Sequence, residues 1–384
     1  MLKGQREKPK EFPEFITCPT EMVALSMADG FSRLTGRAQA VIVHVDVGTQ
    51  GLGPAVHNAS CGRAPVLIFA GSSPYSLEGE MHGSRDEFQH WLQDIPDQGQ
   101  IVSRYCRYSG EIKSGKNIKQ VVKRALQFAN SDPQGPVYLC AARETMEEEI
   151  NPYNTISMNA VGPSALPDHA INQIASDLVE AMDPLVIVGN IGRFPPATEA
   201  LVELADLIGG MHVLDAGGSD MSFPANHPAS LGTRYGVHEA IQTAKTILVL
   251  DCSVPWIPTR CKPSGLGWSG GAALGIKLAS NQLGQDSKFV CQIVGDGAYM
   301  FTMPASVYWI SNRYQLPMLT IVLNNGGWMA PRRSLLMVHP DGAGRDATAD
   351  ELKISFQPTP DYAGIAKLLP VGICGRAVHQ PSRS

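Results

Sequence analysis

The chain has 384 residues, 43% of them hydrophobic and 17% charged, with a formal net charge of −5 and a pI near 6.1. That length allows two or three domains with ordinary buried cores; the missing basic excess excludes a general nucleic-acid binder, and no apolar run is long enough to span a bilayer. Eight cysteines without a Cys-x-x-Cys pair exclude a zinc ribbon or disulfide framework and fit a reduced, cytoplasmic setting. The start, Met1 to Pro13, is mixed in charge and has no apolar centre, so it does not read as a secretory signal; its Lys and Arg residues leave a mitochondrial address open.

In chain order, residues 14 to 145 alternate in character. Helical spacing covers Glu21 to Leu34, apolar runs at Ala40 to Val45 and Val66 to Ala70 read as strands, Ile118 to Ala129 as a helix and Val137 to Cys140 as a strand. Strands alternating with helices predict a parallel sheet. The polar stretch Glu147 to Pro167, with its Pro and Asn residues, reads as a domain boundary. Beyond it the pattern predicts a helix at Ala170 to Ala181, a strand at Leu185 to Gly189, a helix at Pro196 to Ile208 and a strand at Thr246 to Asp251, a Rossmann-like half-unit. Its Gly189-Asn190-Ile191-Gly192 turn falls short of a full dinucleotide fingerprint. Gly265-x-Gly267-x-x-Gly270 does match that fingerprint, yet Thr259 to Pro263 before it form no apolar strand, so it reads as the opening of a further domain and its first helix.

Two juxtapositions near the C-terminus carry the chemistry. Val290 to Val294 runs into Gly295-Asp296-Gly297, and Leu316 to Leu323 empties into Asn324-Asn325-Gly326-Gly327, with a crossover helix expected at Pro304 to Tyr314. Carboxylate and amide thus lie at the C-terminal ends of expected strands, where open α/β sheets bind ligands. Both are hard oxygen donors suited to magnesium and its accompanying phosphate oxygens. Taken singly, each half is also an ordinary turn; together, in strand, helix, strand order, they point to a cofactor site.

This arrangement resembles the thiamine-diphosphate motif of the acetolactate synthase and 2-hydroxyacyl lyase superfamily. The resemblance implies Asp296, Asn325 and the Gly327 carbonyl as Mg²⁺ ligands, with Gly295, Gly297, Ala298 and Asn324 around the diphosphate. Upstream, Thr20-Glu21 followed by Ala28-Asp29-Gly30-Phe31-Ser32-Arg33-Leu34-Thr35-Gly36 looks like the stretch that carries the family's activating glutamate. Glu21 would then share a proton with the aminopyrimidine ring of the cofactor, work suited to one carboxyl group in a mostly apolar pocket. On spacing alone it is equally an acidic residue in a helix's first turn. Asp46-Val47-Gly48-Thr49-Gln50-Gly51 occupies the place of the family's Gly-rich turn, which makes Gln50 and Gly51 cofactor neighbours. Gln93 lies where relatives place an active-site glutamine, although a surface glutamine would look the same. Relatives bend the cofactor with a bulky residue; Ser269 stands at that position with Trp268 beside it.

The expected fold class is α/β: successive parallel-sheet α/β domains of the thiamine-diphosphate enzyme type, with elements missing from all three. The expected domains are a pyrimidine-binding domain at 1–150, a partial central Rossmann-like domain at 151–263 and a partial diphosphate-binding domain at 264–384. Glu21 comes early, Leu250 to Trp256 meets Ser264 within a few residues, and Leu368 to Ser384 shows no periodicity, so the chain reads as a shortened form. The implied activity is acetolactate synthase-like carboligation or decarboxylation of 2-keto acids. All ten histidines are isolated, whereas decarboxylases of the superfamily commonly use a His-His pair, which favours the carboligase or lyase branch. Alternatives are a 2-hydroxyacyl-CoA or oxalyl-CoA lyase, in which Arg332-Arg333 would contact an acyl-CoA anion, and a truncated non-catalytic paralogue. The central domain holds FAD or ADP in some relatives and is empty in others. The family's construction implies a homodimer or homotetramer, because the glutamate of one subunit faces the diphosphate domain of another.

Overall fold

The computed structural model of the chain describes residues 2–217, 220–233, 238–252 and 265–367, and it shows two compact units: Met1–Val161 with Ser264–Ser384, and Gly162–Pro263. The expectations for Ser253 to Pro263, for a domain start at Ser264 and for the tail Leu368 to Ser384 lie outside the described residues.

In the first unit, strands β1 (Gln39–Val43), β2 (Val66–Ser72), β3 (Tyr108–Ile112) and β4 (Val137–Ala142) form a parallel sheet in the order β1-β2-β4-β3. The inner strand β4 is buried along almost its whole length, as a parallel strand covered on both faces must be. Helix α1 (Glu21–Thr35) ends where Gly36 turns left-handed at φ 66° and its amide bonds the Ser32 carbonyl. Helix α2 (Gly53–Cys61) and helix α3 (Ile118–Asn130) complete the layers, and Leu25, Leu52, Val56, Ile68 and Tyr138 share the main core. β1 ends two residues earlier than its apolar run, because Val45 and Asp46 already turn into the following loop.

The second unit is also parallel. β5 (Leu185–Val188), β6 (His212–Asp215), β7 (Ser230–Thr233) and β8 (Ile247–Leu250) run in the order β7-β6-β5-β8, with helices α4 (Asp168–Glu180) and α5 (Pro195–Leu207). Its core joins Leu178, Val186, Val188, Leu201 and Val213. Glu147 to Pro167 holds no helix or strand.

The C-terminal part of the first unit opens with α6 (Trp268–Gln282), continues through β9 (Cys291–Gly295), α7 (Asp296–Phe301), α8 (Pro304–Arg313) and β10 (Leu319–Leu323), and then α9 (Met329–Val338). β9 and β10 pair in parallel with Gly295 level with Leu323, so both strands deliver their following loops to one edge. The crossover carries two helices rather than one, since Gly295-Asp296-Gly297 starts α7 instead of a free turn. One sheet face is buried by Val294, while on the other Ile293 and Leu323 are 64% and 59% exposed.

Helices α1 and α6 cross backbone against backbone. A β-carbon on Gly275 would stand 1.9 Å from the Met27 carbonyl oxygen, and one on Gly30 would stand 2.3 Å from that of Ala272. Small residues at this crossing let the helices approach closely, and Val23, Met27, Leu274, Val307 and Ile310 close the core around it.

Candidate active site

Asp296 is 2% exposed at the end of β9, and three backbone amides hold it. Its Oδ1 accepts from Gly297 at 2.9 Å, and its Oδ2 accepts from Gly326 at 3.0 Å and Gly327 at 2.9 Å. A buried carboxylate needs this compensation. The same bonds draw the loop after β10 onto the loop after β9. Asn324 Oδ1 accepts from the Gly326 amide at 3.0 Å and shapes the turn. The field of Asp296 is felt nearby: burial raises the Tyr362 phenol above its ordinary range, and the Asp296 charge adds to the rise.

The Asn325 carboxamide completes the cluster. One of its terminal atoms lies 3.1 Å from Asp296 Oδ1 and 2.9 Å from the Gly327 carbonyl oxygen. With nitrogen there, the amide donates to both; with oxygen there, three oxygens converge with nothing between them to offset their repulsion. Which end of an amide points where is set by its surroundings. Octahedral magnesium with ligands at about 2.0–2.1 Å needs adjacent oxygens roughly 2.9 Å apart. The two edges therefore match one face of such a site, and an ion would select the oxygen-inward setting. Among the described residues no three His, Cys, Asp or Glu side chains cluster as ligands, so a mixed carboxylate, amide and carbonyl set is the chemistry available. Ala298 sits in the first turn of α7, where helix amides lack intrahelical partners. The residues present fit magnesium.

Glu21 opens α1 and packs over Gly51. A β-carbon on Gly51 would stand 2.9 Å from Glu21 Oε2. The Gly51 loop is itself held by a buried network that composition and spacing did not single out. Gln98 Nε2 donates to the Gly71 carbonyl at 2.8 Å, to the Tyr138 hydroxyl at 2.8 Å and to Thr49 Oγ1 at 3.3 Å, while its Oε1 accepts from the Asp46 amide at 2.8 Å. Gln50 donates to Asp46 Oδ1 at 2.7 Å. Gln50 is thus tied into the loop, and Gly51 is brought to Glu21. Among the described residues no hydrogen bond or ion pair joins Glu21 to the Asp296 cluster. Gln93 follows the short helix Gln89–Leu92, half-buried, with its amide on the Gln89 carbonyl at 2.9 Å and no bond to either cluster.

The motif around Asp29 has a different use. Asp29 is fully buried; Arg33 Nε donates to its Oδ1, and Arg33 Nη2 and Trp268 Nε1 donate to its Oδ2 at 3.0 and 2.8 Å. The guanidinium also lies 4.7 Å over the Trp268 ring. Trp268 is therefore committed to α1, and Ser269 Oγ to accepting from Gln292 Nε2 at 2.9 Å. The glycines of the dinucleotide-like run are packed as well: Gly265 donates to Asn58 Oδ1, and Gly267 faces Met22 and the Phe301 carbonyl. Arg332 Nη2 donates to the Arg345 carbonyl at 3.1 Å, and Arg333 is exposed. In the second unit, a β-carbon on Gly189 would meet the Asp251 carbonyl at 2.8 Å and one on Gly192 the Met221 carbonyl at 2.3 Å, so that turn packs against its own chain.

Comparison with known proteins identifies the family. Residues 5–101 match the family described as "Thiamine pyrophosphate enzyme, N-terminal TPP binding domain", and residues 261–383 match "Thiamine pyrophosphate enzyme, C-terminal TPP binding domain". The chain is 27% identical over 237 residues to the benzoylformate decarboxylase of Pseudomonas aeruginosa, covering 60% of this chain and 43% of that protein. It is 27% identical over 194 residues to the acetolactate synthase of Bacillus subtilis, covering 50% and 32%. The matched region thus spans less than half the length of these relatives. The crystal structure of benzoylformate decarboxylase from Polynucleobacter necessarius superposes with a TM-score of 0.76 at 16% identity, over 95% of this chain and 87% of that one, which establishes the shared fold. Family matches at both ends and the parallel α/β fold lead to one conclusion: the chain belongs to the thiamine pyrophosphate enzyme family.

Proposed function

We propose that the chain is a magnesium- and thiamine-diphosphate-dependent enzyme of 2-keto acid chemistry, acetolactate synthase-like in forming or breaking the bond beside the keto carbon. The observation that carries this reading is the convergence of Asp296 Oδ1, the Asn325 carboxamide and the Gly327 carbonyl with edges of 3.1 and 2.9 Å. These three groups would hold Mg²⁺, and through it the diphosphate, with Gly295, Gly297, Ala298 and Asn324 shaping the backbone around it. When bound, thiamine diphosphate supplies the electron sink for cleavage or formation of a carbon–carbon bond next to a carbonyl.

The chain's own residues orient and move protons. Glu21, set by Gly51, would share a proton with the ring nitrogen of the pyrimidine, and Gln98 and Gln50 keep that loop in place. Gln93 would offer a neutral amide to the substrate carboxylate or carbonyl. Residues 1–150 would serve the pyrimidine, 264–384 the diphosphate, and 151–263 would make up a central domain, whose Gly189 turn lends no support to FAD or ADP. Within the family, 2-hydroxyacyl-CoA or oxalyl-CoA cleavage is the alternative. Assembly as a homodimer or homotetramer is part of the proposal, supported by the apolar side chains the first unit leaves in solvent, Phe88 at 72% and Leu92 at 71% exposed among them.

The test is turnover of pyruvate and of benzoylformate by purified protein with Mg²⁺ and thiamine diphosphate, beside Glu21→Gln. The reading expects turnover that the variant loses while keeping its coenzyme. No turnover by either protein would assign the chain a non-catalytic role, equal turnover by both would remove Glu21 from the chemistry, and light scattering of a monomer with bound coenzyme would remove the assembly claim.

A further inference from the structure

We infer that Trp328 and Phe356 form a clamp that sets the Gly327 carbonyl, so that metal affinity depends on a segment well beyond the motif. This rests on the metal site proposed above. Gly327 has φ +148°, and a β-carbon there would stand 2.0 Å from the Ile354 carbonyl oxygen, so another stretch of backbone crosses directly over it. Gly327 and Ser355 form an antiparallel bridge. The Trp328 amide donates to the Ile354 carbonyl at 2.8 Å, and the Phe356 amide donates to the Gly326 carbonyl at 2.9 Å. The peptide groups on both sides of Gly327 are thereby fixed, which leaves its carbonyl one direction. That oxygen accepts from the Met329 amide at 3.0 Å and has a second lone pair toward Asn325.

Side chains extend the clamp to the other half of the site. The Trp328 ring lies so close to Gly297 that a β-carbon there would stand 2.4 Å from it. The ring meets Phe356 edge-on at 5.0 Å and Phe301 at 5.9 Å. Phe356 therefore presses Trp328 onto the residue next to Asp296 while its amide holds Gly326. Residues 329 to 353, between the two sides of the clamp, include α9, which buries none of its residues. Trp328 and Phe356 are positioning residues, since neither supplies a ligand atom.

The experiment measures free Mn²⁺, a magnesium surrogate, by electron paramagnetic resonance in the presence of thiamine diphosphate, for the wild type, Phe356→Ala, Phe356→Leu, Phe356→Tyr and, as a control in α9, Met337→Ala. Groups that orient metal ligands typically alter affinity about 10- to 100-fold when removed. Phe356→Ala should bind Mn²⁺ about tenfold more weakly at temperatures where circular dichroism shows it folded. Phe356→Leu should fall between, Phe356→Tyr should restore affinity by keeping the ring, and Met337→Ala should match the wild type. Should the alanine and leucine variants bind as tightly as the wild type, or Met337→Ala lose as much, the clamp is wrong while the metal site stands. No saturable binding by the wild type would remove the metal site itself.

Discussion

Replacing Gly51 with alanine is the smallest change that reaches Glu21. Gly51 has φ −61° and ψ −14°, so an alanine there is unstrained. Its methyl group would stand 2.9 Å from Glu21 Oε2 and 3.3 Å from Glu21 Cβ and Cδ. Comfortable non-bonded separations are about 3.5 Å or more, so the carboxylate must retreat by roughly half an ångström. Because Glu21 is half-buried and its carboxylate ends a flexible chain, folding stability should change by less than about 1 kcal/mol. Proton transfer is less forgiving: a misplacement of about 1 Å costs about 10²-fold, so a shift of half that size should cost roughly tenfold. The assay is exchange of the coenzyme's reactive carbon-bound proton with D₂O, followed by rapid quench and NMR, which needs no substrate. Gly51→Ala should slow exchange about tenfold with coenzyme affinity and urea midpoint unchanged. An unchanged exchange rate, or a loss of coenzyme affinity in step with the rate, would refute the placement of Glu21 over Gly51 as the source of the effect.

Three further outcomes follow from the scaffold. Gly275→Ala drives a methyl group into the Met27 carbonyl and parts helices α1 and α6, so urea denaturation should show a loss of about 3 kcal/mol. Arg33→Ala leaves the buried Asp29 carboxylate with Trp268 as its remaining side-chain donor and should cost about 3–5 kcal/mol by the same assay, with Arg33→Lys recovering little because the guanidinium reaches both carboxylate oxygens and covers an indole. Burial alone would raise the Glu144 carboxyl, but Ser76, whose amide and hydroxyl donate to Oε1 at 2.8 and 2.5 Å, helps hold it below the ordinary value. A depressed folded value stabilises above the unfolded pKa and loses that effect as pH falls through the folded one. Glu144→Gln should therefore flatten the acid limb of the stability curve, read by thermal melts from pH 3 to 7, and leave its shape near neutrality unchanged.

The strongly periodic parts of the fold were legible from residue order. Glu21–Thr35, Ile118–Asn130 and Pro304–Arg313 lie within a residue of their expected spans, and Val66–Ser72 starts where its apolar run starts. Tyr108–Ile112 and Ser230–Thr233 were missed; each is an edge strand containing Gly and Ser, stabilised by a neighbour rather than by its own apolar pattern. His212–Asp215 is too short to show a period. Asp296–Phe301 read as a turn because its opening glycines hid a helix that starts on the carboxylate. At the proposed site, the placement of Asp296 and Asn325 at two neighbouring strand ends could be read from the sequence, but their supports could not. The partners of Asp29 and Arg33 include Trp268, far along the chain; Gln98 satisfies four groups on three separate stretches; and the Ile354–Phe356 strap has no sequence signal beyond an ordinary loop. Such contacts arise from tertiary packing, which local pattern does not encode.

If Asp296, Asn325 and Gly327 hold a divalent ion that in turn holds the diphosphate, coenzyme binding must depend on both the ion and the carboxylate. Isothermal titration of thiamine diphosphate into the wild type and Asp296→Ala, with Mg²⁺ and with EDTA, tests it most directly. The wild type should show saturable binding with Mg²⁺ that disappears with EDTA and is absent from Asp296→Ala even though its circular dichroism shows a folded chain. Binding of equal strength with and without Mg²⁺, or retained by the folded variant, would contradict it.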